Sequence, residues 1–408
     1  GKIENDFEKA GTLRKSRCVI YVSISLDSMK RLYSESKAVR MYEQIKTILL
    51  SHFCLSIGGE ISPYGTENFV ALNELESGEI VKCIDRCFEE INEAFVNYGA
   101  VGVVRVNFGY HQTSSTEVSF KTALGRAKQA CSMAEDKNVL YCQWDSSNGK
   151  EFERKLKIEN SIQNEIDNNR FFLEYQPILD AKTNKIMGAE VLSRLNSPTE
   201  GVLTPSSFLS AVNNVGLNEK FDYYIFEKNC KWISSDKENR TKYVYTINFS
   251  RYTLCDPNLA DKIIEIVEKY GICYSCIAVE ILEDKSLNQD EKSTMIKNLT
   301  RLKEKGVLIL LDDFGKGYTS FSDLTDFDIS IVKIDKSITQ NATSQTGLLV
   351  LKNIIRTAQD LGFRTLCEGI ETDEHRKTAV DSGCDMLQGY YFCRPIPVTQ
   401  LEKLFEKQ

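Results

Sequence analysis

From residue 171 onward the chain alternates short apolar runs, polar elbows and helix-length amphipathic stretches, a β/α rhythm. The apolar runs fall at 171–178, 186–194, 243–249, 277–282, 307–311, 331–334, 364–368 and 385–388. Helical spacing over 260–270, 291–305, 344–361 and 373–382 ends at Gly271, Gly306, Gly362 and Gly383, residues able to cap a helix with positive φ. Eight strands with intervening helices in about 240 residues predict an α/β fold, a (β/α)8 TIM barrel whose active site lies at the C-terminal strand ends. Only 179–185 separates the first two runs, too short for a crossover helix, so these strands should pair antiparallel and make the barrel a variant. Residues 17–148 read instead as α+β, with apolar runs at 17–26, 68–73, 101–108 and 138–143 between helical stretches at 34–53, 78–97 and 119–135. Phe152, Leu156, Ile158 and Ile162 keep helical spacing through a charged segment. The expected organisation is therefore an N-terminal domain over 1–148, a connecting helix over 149–168 and a barrel over 169–408.

Composition narrows the function. The 408 residues are 42% hydrophobic and 27% charged, with no apolar window long enough to cross a membrane. A net charge of −7 without a Lys/Arg run argues against a nucleic-acid polymer as partner. Thirteen cysteines lack the spacing of a disulfide framework and suit reduced thiols in the cytoplasm. The Cys273–Cys276 CxxC has no second ligand pair, and the histidines are His52, His111 and His375, so zinc is disfavoured. The first residue is Gly1 rather than Met, and a membrane anchor upstream stays compatible with the sequence.

Acidic and amide residues mark the ends of successive runs: Glu190, Asn248, Glu280, Asp312 with Asp313, Glu368 and Gln388, with Lys333 among them. Singly, each has an ordinary explanation, such as an Asx turn at Asp312–Asp313. Together, in a barrel, they converge on one mouth. A carboxylate within an apolar strand must be paired or coordinated. An all-oxygen set points to Mg²⁺ or Mn²⁺ and suits two-metal hydrolysis of a phosphodiester.

The ordered motifs Tyr175-Gln176-Pro177-Ile178, Glu190-Val191-Leu192-Ser193-Arg194, Ile247-Asn248-Phe249-Ser250, Glu280-Ile281-Leu282-Glu283, Asp312-Asp313-Phe314-Gly315, Lys333-Ile334-Asp335, Glu368-Gly369-Ile370-Glu371 and Gln388-Gly389-Tyr390 resemble an EAL domain. The resemblance implies cyclic-di-GMP phosphodiesterase activity yielding linear pGpG, with two divalent ions held by Glu190, Asn248, Glu280, Asp312 and Asp313. It further implies that Lys333 and Glu368 activate water, with Glu368 as base. Gln176, Arg194, Glu371 and Gln388 would hold substrate or support the residues that bind it and the metals, and Glu283 would steady the loop after Asp313. Three departures stand out: Val191 within the name motif, expected to face away from Glu190; Lys316 in place of a threonine; and Asn213 in place of a glutamate.

Ser62 through Leu72 resembles the hairpin of a GGDEF domain, eroded to Gly65-Thr66-Glu67-Asn68-Phe69. Gly58-Gly59-Glu60 is a decoy, because Pro63 should stop a ladder strand continuing from it. Ser25 stands at a metal aspartate of that family, Tyr33 and Tyr42 at its guanine-reading positions, and Thr66 at its second glycine, while Ser56 and Gly59 replace its inhibitory pair. A degenerate, regulatory palm-like domain is implied, not a cyclase. The implied partner is cyclic-di-GMP, with room for a homodimer. The rival readings are a catalytically silent cyclic-di-GMP receptor, disfavoured because no metal position is lost, and an unrelated (β/α)8 enzyme.

Overall fold

The computed structural model describes residues 3–4, 7, 17–25, 35–56, 59–65, 67–96, 105–113, 118–282, 288–315 and 326–407. The chain divides into two compact units, Gly1–Leu156 and Lys157–Gln408, and the helix Ser146–Asp167 contains the division.

In the first unit, β1 (Arg17–Ser25), β2 (Glu60–Tyr64), β3 (Asn68–Asn73), β4 (Arg105–Thr113) and β5 (Tyr141–Gln143) form one sheet in the order β2-β3-β1-β4-β5. All neighbours are antiparallel except β4 and β5. Cys18, Ile20, Val22 and Ile24 of β1 face the helices Glu35–Leu50 and Ser77–Val96, while Val19 packs with Ala123 and Ala127 of the helix Phe120–Asp136. That last helix lies so close that a Cβ on Gly109 would come within 2.2 Å of the Ala127 carbonyl oxygen, which explains a glycine inside β4. One expectation fails here. β2 runs from Glu60 through Pro63, which pairs with Phe69. Since β2 is an edge strand, the missing proline N–H costs no ladder bond on a second side.

The second unit is the α/β barrel that the rhythm predicts. Its strands are β6 (Phe171–Asp180), β7 (Ile186–Ser197), the short β8 (Gly201–Leu203), β9 (Val244–Asn248), β10 (Ile277–Leu282), β11 (Leu308–Phe314), β12 (Ile331–Ile334), β13 (Arg364–Cys367), β14 (Met386–Leu387) and the short β15 (Ile396–Pro397). Eight of them close into a ring, β6-β14-β13-β12-β11-β10-β9-β7, with β6 pairing β7 to shut it. β6 is antiparallel to both neighbours and the other contacts in the ring are parallel. The turn over residues 181–185 is too short to carry the chain back, so β6 and β7 form a hairpin.

Alternation sorts each strand. Tyr245, Ile247, Val279, Ile281, Ile309, Leu311 and Val332 face outward into the layer shared with the helices. Ile178, Leu310, Ile331, Leu366 and Met386 face inward and plug the barrel. Above that plug the inward positions turn polar. Among the described residues, no helix is long and apolar enough to cross a membrane, and all thirteen cysteines are free thiols.

Candidate active site

Lys333, 3% exposed on β12, lies at the centre of the polar layer. Its ammonium is 3.1 Å from Asp312, 3.5 Å from Glu368, 3.6 Å from Glu190 and 3.7 Å from Glu280. Burial alone would depress its pKa, but the carboxylates Glu190, Glu280, Asp312 and Glu368 outweigh burial and hold it well above the usual lysine range. The lysine therefore stays charged. Glu280 is 1% exposed, and burial pushes its carboxyl up to about 8, with Lys333 opposing and Glu190 and Asp312 reinforcing the rise. Burial also raises Glu368.

Local structure explains how these groups meet. Glu190 pairs in register with Gln176 on β6. Gln388 Nε2 donates to Glu190 Oε2 at 2.7 Å and to Gln176 Oε1 at 3.2 Å, while Gln176 Nε2 donates to the Cys393 carbonyl. Asn248 Nδ2 donates to the other oxygen of Glu190 at 3.4 Å. Successive strand residues point to opposite faces, so Asp312 and Asp313 would ordinarily diverge. The ladder shifts register between Leu311 and Phe314, and Asp313 adopts φ 55°, a left-handed conformation that turns the chain at this point. Asp313, Asp335 and Glu368 then bring oxygens within 4.8 Å of one another. Glu368 belongs to both groups. Its Oε1 accepts from the Lys336 amide at 3.2 Å.

Two of the expected substrate residues stand apart. Arg194 is nearly buried and bound within the chain, its Nε donating to Glu174 at 2.8 Å and Nη1 to the Ser193 carbonyl. Glu371 is exposed, and its amide donates to His375 Nδ1. Glu283 and Lys316 lie outside the described residues. Val191 faces the outer core while Glu190 faces inward, as alternation requires. Asn213 is an exposed residue accepting from Asn218.

Asp335 and Glu174 carry no individual signal in the sequence. What the sequence does offer is a spacing of two from a polar strand residue, Lys333 for Asp335 and Gln176 for Glu174. Beside the carboxylates, a pocket of about 390 Å³ is bordered by Asn248, Leu192, Asp222, Phe249 and Tyr252. Asp222 accepts from the Ser250 amide and the Thr253 hydroxyl on one oxygen, and burial raises its carboxyl to about 6.

The EAL domain family model matches residues 159–395, more than half of the chain, and the chain belongs to that family. The signalling protein YkoW of Bacillus subtilis is 31% identical over 285 residues, covering 69% of this chain and 35% of YkoW. The cyclic di-GMP phosphodiesterase RocR of Pseudomonas aeruginosa is 31% identical over 233 residues, covering 57% of this chain and 59% of RocR. The chain thus spans from about a third to three-fifths of these relatives' lengths. An EAL domain protein from Listeria monocytogenes superposes with a TM-score of 0.55 at 29% identity, covering 61% of this chain and 98% of that one.

Proposed function

We propose that the barrel unit hydrolyses cyclic-di-GMP to linear pGpG with divalent metal ions, and that the N-terminal unit is a degenerate GGDEF-like regulatory domain without cyclase activity. The observation that carries the first part is the ring of four carboxylates around the Lys333 ammonium. Their charge exceeds what one lysine neutralises, and neither oxygen of the buried Glu280 has a hydrogen-bond partner. Such a site fits hard cations bound by oxygen. Glu190, Asn248, Glu280, Asp312 and Asp313, with Asp335 beside Asp313, would hold two Mg²⁺ or Mn²⁺ ions, which when bound supply Lewis-acid stabilisation of charge on the phosphate oxygens.

The protein's own groups have separable tasks. Glu368, whose carboxyl burial raises, takes the proton of the attacking water. The water oxygen bonds to phosphorus as the P–O bond to the ribose 3′ oxygen breaks, and the 3′ oxygen leaves with the electron pair and takes a proton from solvent to become the 3′-hydroxyl of pGpG. Lys333 orients the water and offsets charge on the phosphate. Gln176 and Gln388 hold Glu190 in place, and the adjoining pocket is large enough for a purine base. Glu371 and Arg194 remain proposed substrate contacts, Arg194 through whatever donors Glu174 and the Ser193 carbonyl leave open.

Support for the second part lies at the end of β1, where Ser25 rather than a carboxylate borders a cavity of about 800 Å³ together with Glu67, Asn68 and Arg105. Glu368→Gln tests the hydrolytic reading: turnover should fall roughly 10²-fold or more while cyclic-di-GMP still binds by calorimetry. Near-normal turnover would remove Glu368 as the base.

A further inference from the structure

Thr246 is a hydroxyl where the barrel otherwise places hydrocarbon. It lies on β9 two residues before Asn248, pairs in register with Glu190 on β7, and is 2% exposed. On its other side Ala278 is its register partner, one inward position below Glu280. Beside it is a void of about 20 Å³ bordered mostly by apolar side chains, among them Ile178, Leu310, Ile331, Leu366 and Met386, with Arg364 as the one charged residue on its border. Thr246 therefore stands at the boundary between the apolar plug and the carboxylates.

Four buried oxygens in this region have no hydrogen-bond partner: Thr246 Oγ1, both carboxylate oxygens of Glu280, and Gln388 Oε1, whose own amide nitrogen is already committed to Glu190 and Gln176. A buried hydroxyl without a partner is costly, and a valine of the same shape would fill the position without that cost. Thr246 and Glu280 lie on neighbouring parallel strands, Glu280 two residues beyond Thr246's register partner Ala278, so both side chains face the barrel interior at adjoining levels.

We infer that Thr246 is a positioning residue: its hydroxyl donates to Glu280 and fixes the orientation in which that carboxylate ligates a divalent ion. This rests on the reading of Glu280 as a metal ligand. A partner that orients a ligating carboxylate typically changes metal affinity by about 10- to 100-fold.

The test uses the full chain, with Mn²⁺ alone as probe, titrated by calorimetry without nucleotide. Thr246→Val should weaken Mn²⁺ binding about tenfold or more while thermal stability of the metal-free protein holds or rises. Thr246→Ser keeps the hydroxyl and should restore affinity close to that of the unchanged protein. Equal Mn²⁺ affinity in Thr246→Val and the unchanged protein would overturn the inference alone. So would failure of Thr246→Ser to rescue. An unchanged protein that takes up no Mn²⁺ would instead remove the metal reading of the site, and this inference with it.

Discussion

At the strand ends of the barrel, Glu190, Glu280, Asp312 and Lys333 are all withdrawn from water within a few ångströms of each other. At the end of β1 in the N-terminal unit, Ser25 and Glu67 border an open cavity instead, with Arg105 and Glu135 on its margin. Both sheets bring polar residues to one edge, but only the barrel buries like charges side by side. Such crowding is destabilising unless a ligand balances it, so it points to chemistry more strongly than polarity does. The N-terminal edge carries no comparable crowding of buried like charges among its described residues.

The sharpest test of this contrast exchanges one carboxylate from each edge for alanine. Glu190→Ala should abolish both hydrolysis and Mn²⁺ uptake, since it removes a proposed ligand and the acceptor for Gln388 and Asn248. Glu67→Ala should leave hydrolysis essentially intact. Comparable losses from the two would erase the distinction. Lys333→Ala should next reduce turnover roughly 10²-fold, while Mn²⁺ still binds, because an ammonium cannot ligate a metal. Measured metal affinity falling as far as in Glu190→Ala would contradict that separation.

A smaller effect follows from Glu280. Its carboxyl, ordinarily near 4.5, is raised to about 8 in the folded metal-free protein. The proton it holds therefore adds stability that is fully present below about 4.5 and is lost as pH rises through about 8. Thermal melts without metal should show that decline. Because a metal must displace the same proton, Mn²⁺ affinity should rise over the same interval, which calorimetry at pH 6.5 and 8.5 would check. A pH-independent affinity would show that Glu280 is not among the ligands. The smallest expected changes concern the N-terminal unit: incubation with GTP and Mg²⁺ should yield no cyclic-di-GMP, and deleting residues 1–148 should modulate the hydrolytic rate or dimerisation without abolishing activity. Accumulated cyclic-di-GMP would overturn the degenerate reading, and a truncated protein matching the full chain in both respects would remove the proposed coupling.

Much of the barrel was legible because its strands carry period-two apolar runs and its helices end at glycines, so Glu190, Glu280 and Lys333 could be assigned to strand ends before any geometry was known. The hairpin of β6 and β7 followed from a seven-residue gap over 179–185. What stayed hidden depends on departures from ideal strands or on contacts across the sheet. The register shift and positive φ at Asp313 leave no periodic trace. Glu174, diagonal to Arg194 across the hairpin, becomes meaningful only once β6 and β7 are paired, and Thr246 only once the plug beneath it is seen. In the N-terminal unit Pro63 misled, since its meaning depends on whether β2 is central or at the edge, a property of the whole sheet.

The central claim is that the carboxylate ring performs hydrolysis rather than only binding a nucleotide. The most direct measurement incubates the purified full chain with cyclic-di-GMP and either Mg²⁺ or Mn²⁺ and separates the nucleotides by chromatography over time. The account predicts loss of cyclic-di-GMP matched by growth of pGpG, and no conversion once the metal is chelated. Cyclic-di-GMP that binds the protein yet is recovered intact with either ion would contradict it and make the barrel a receptor.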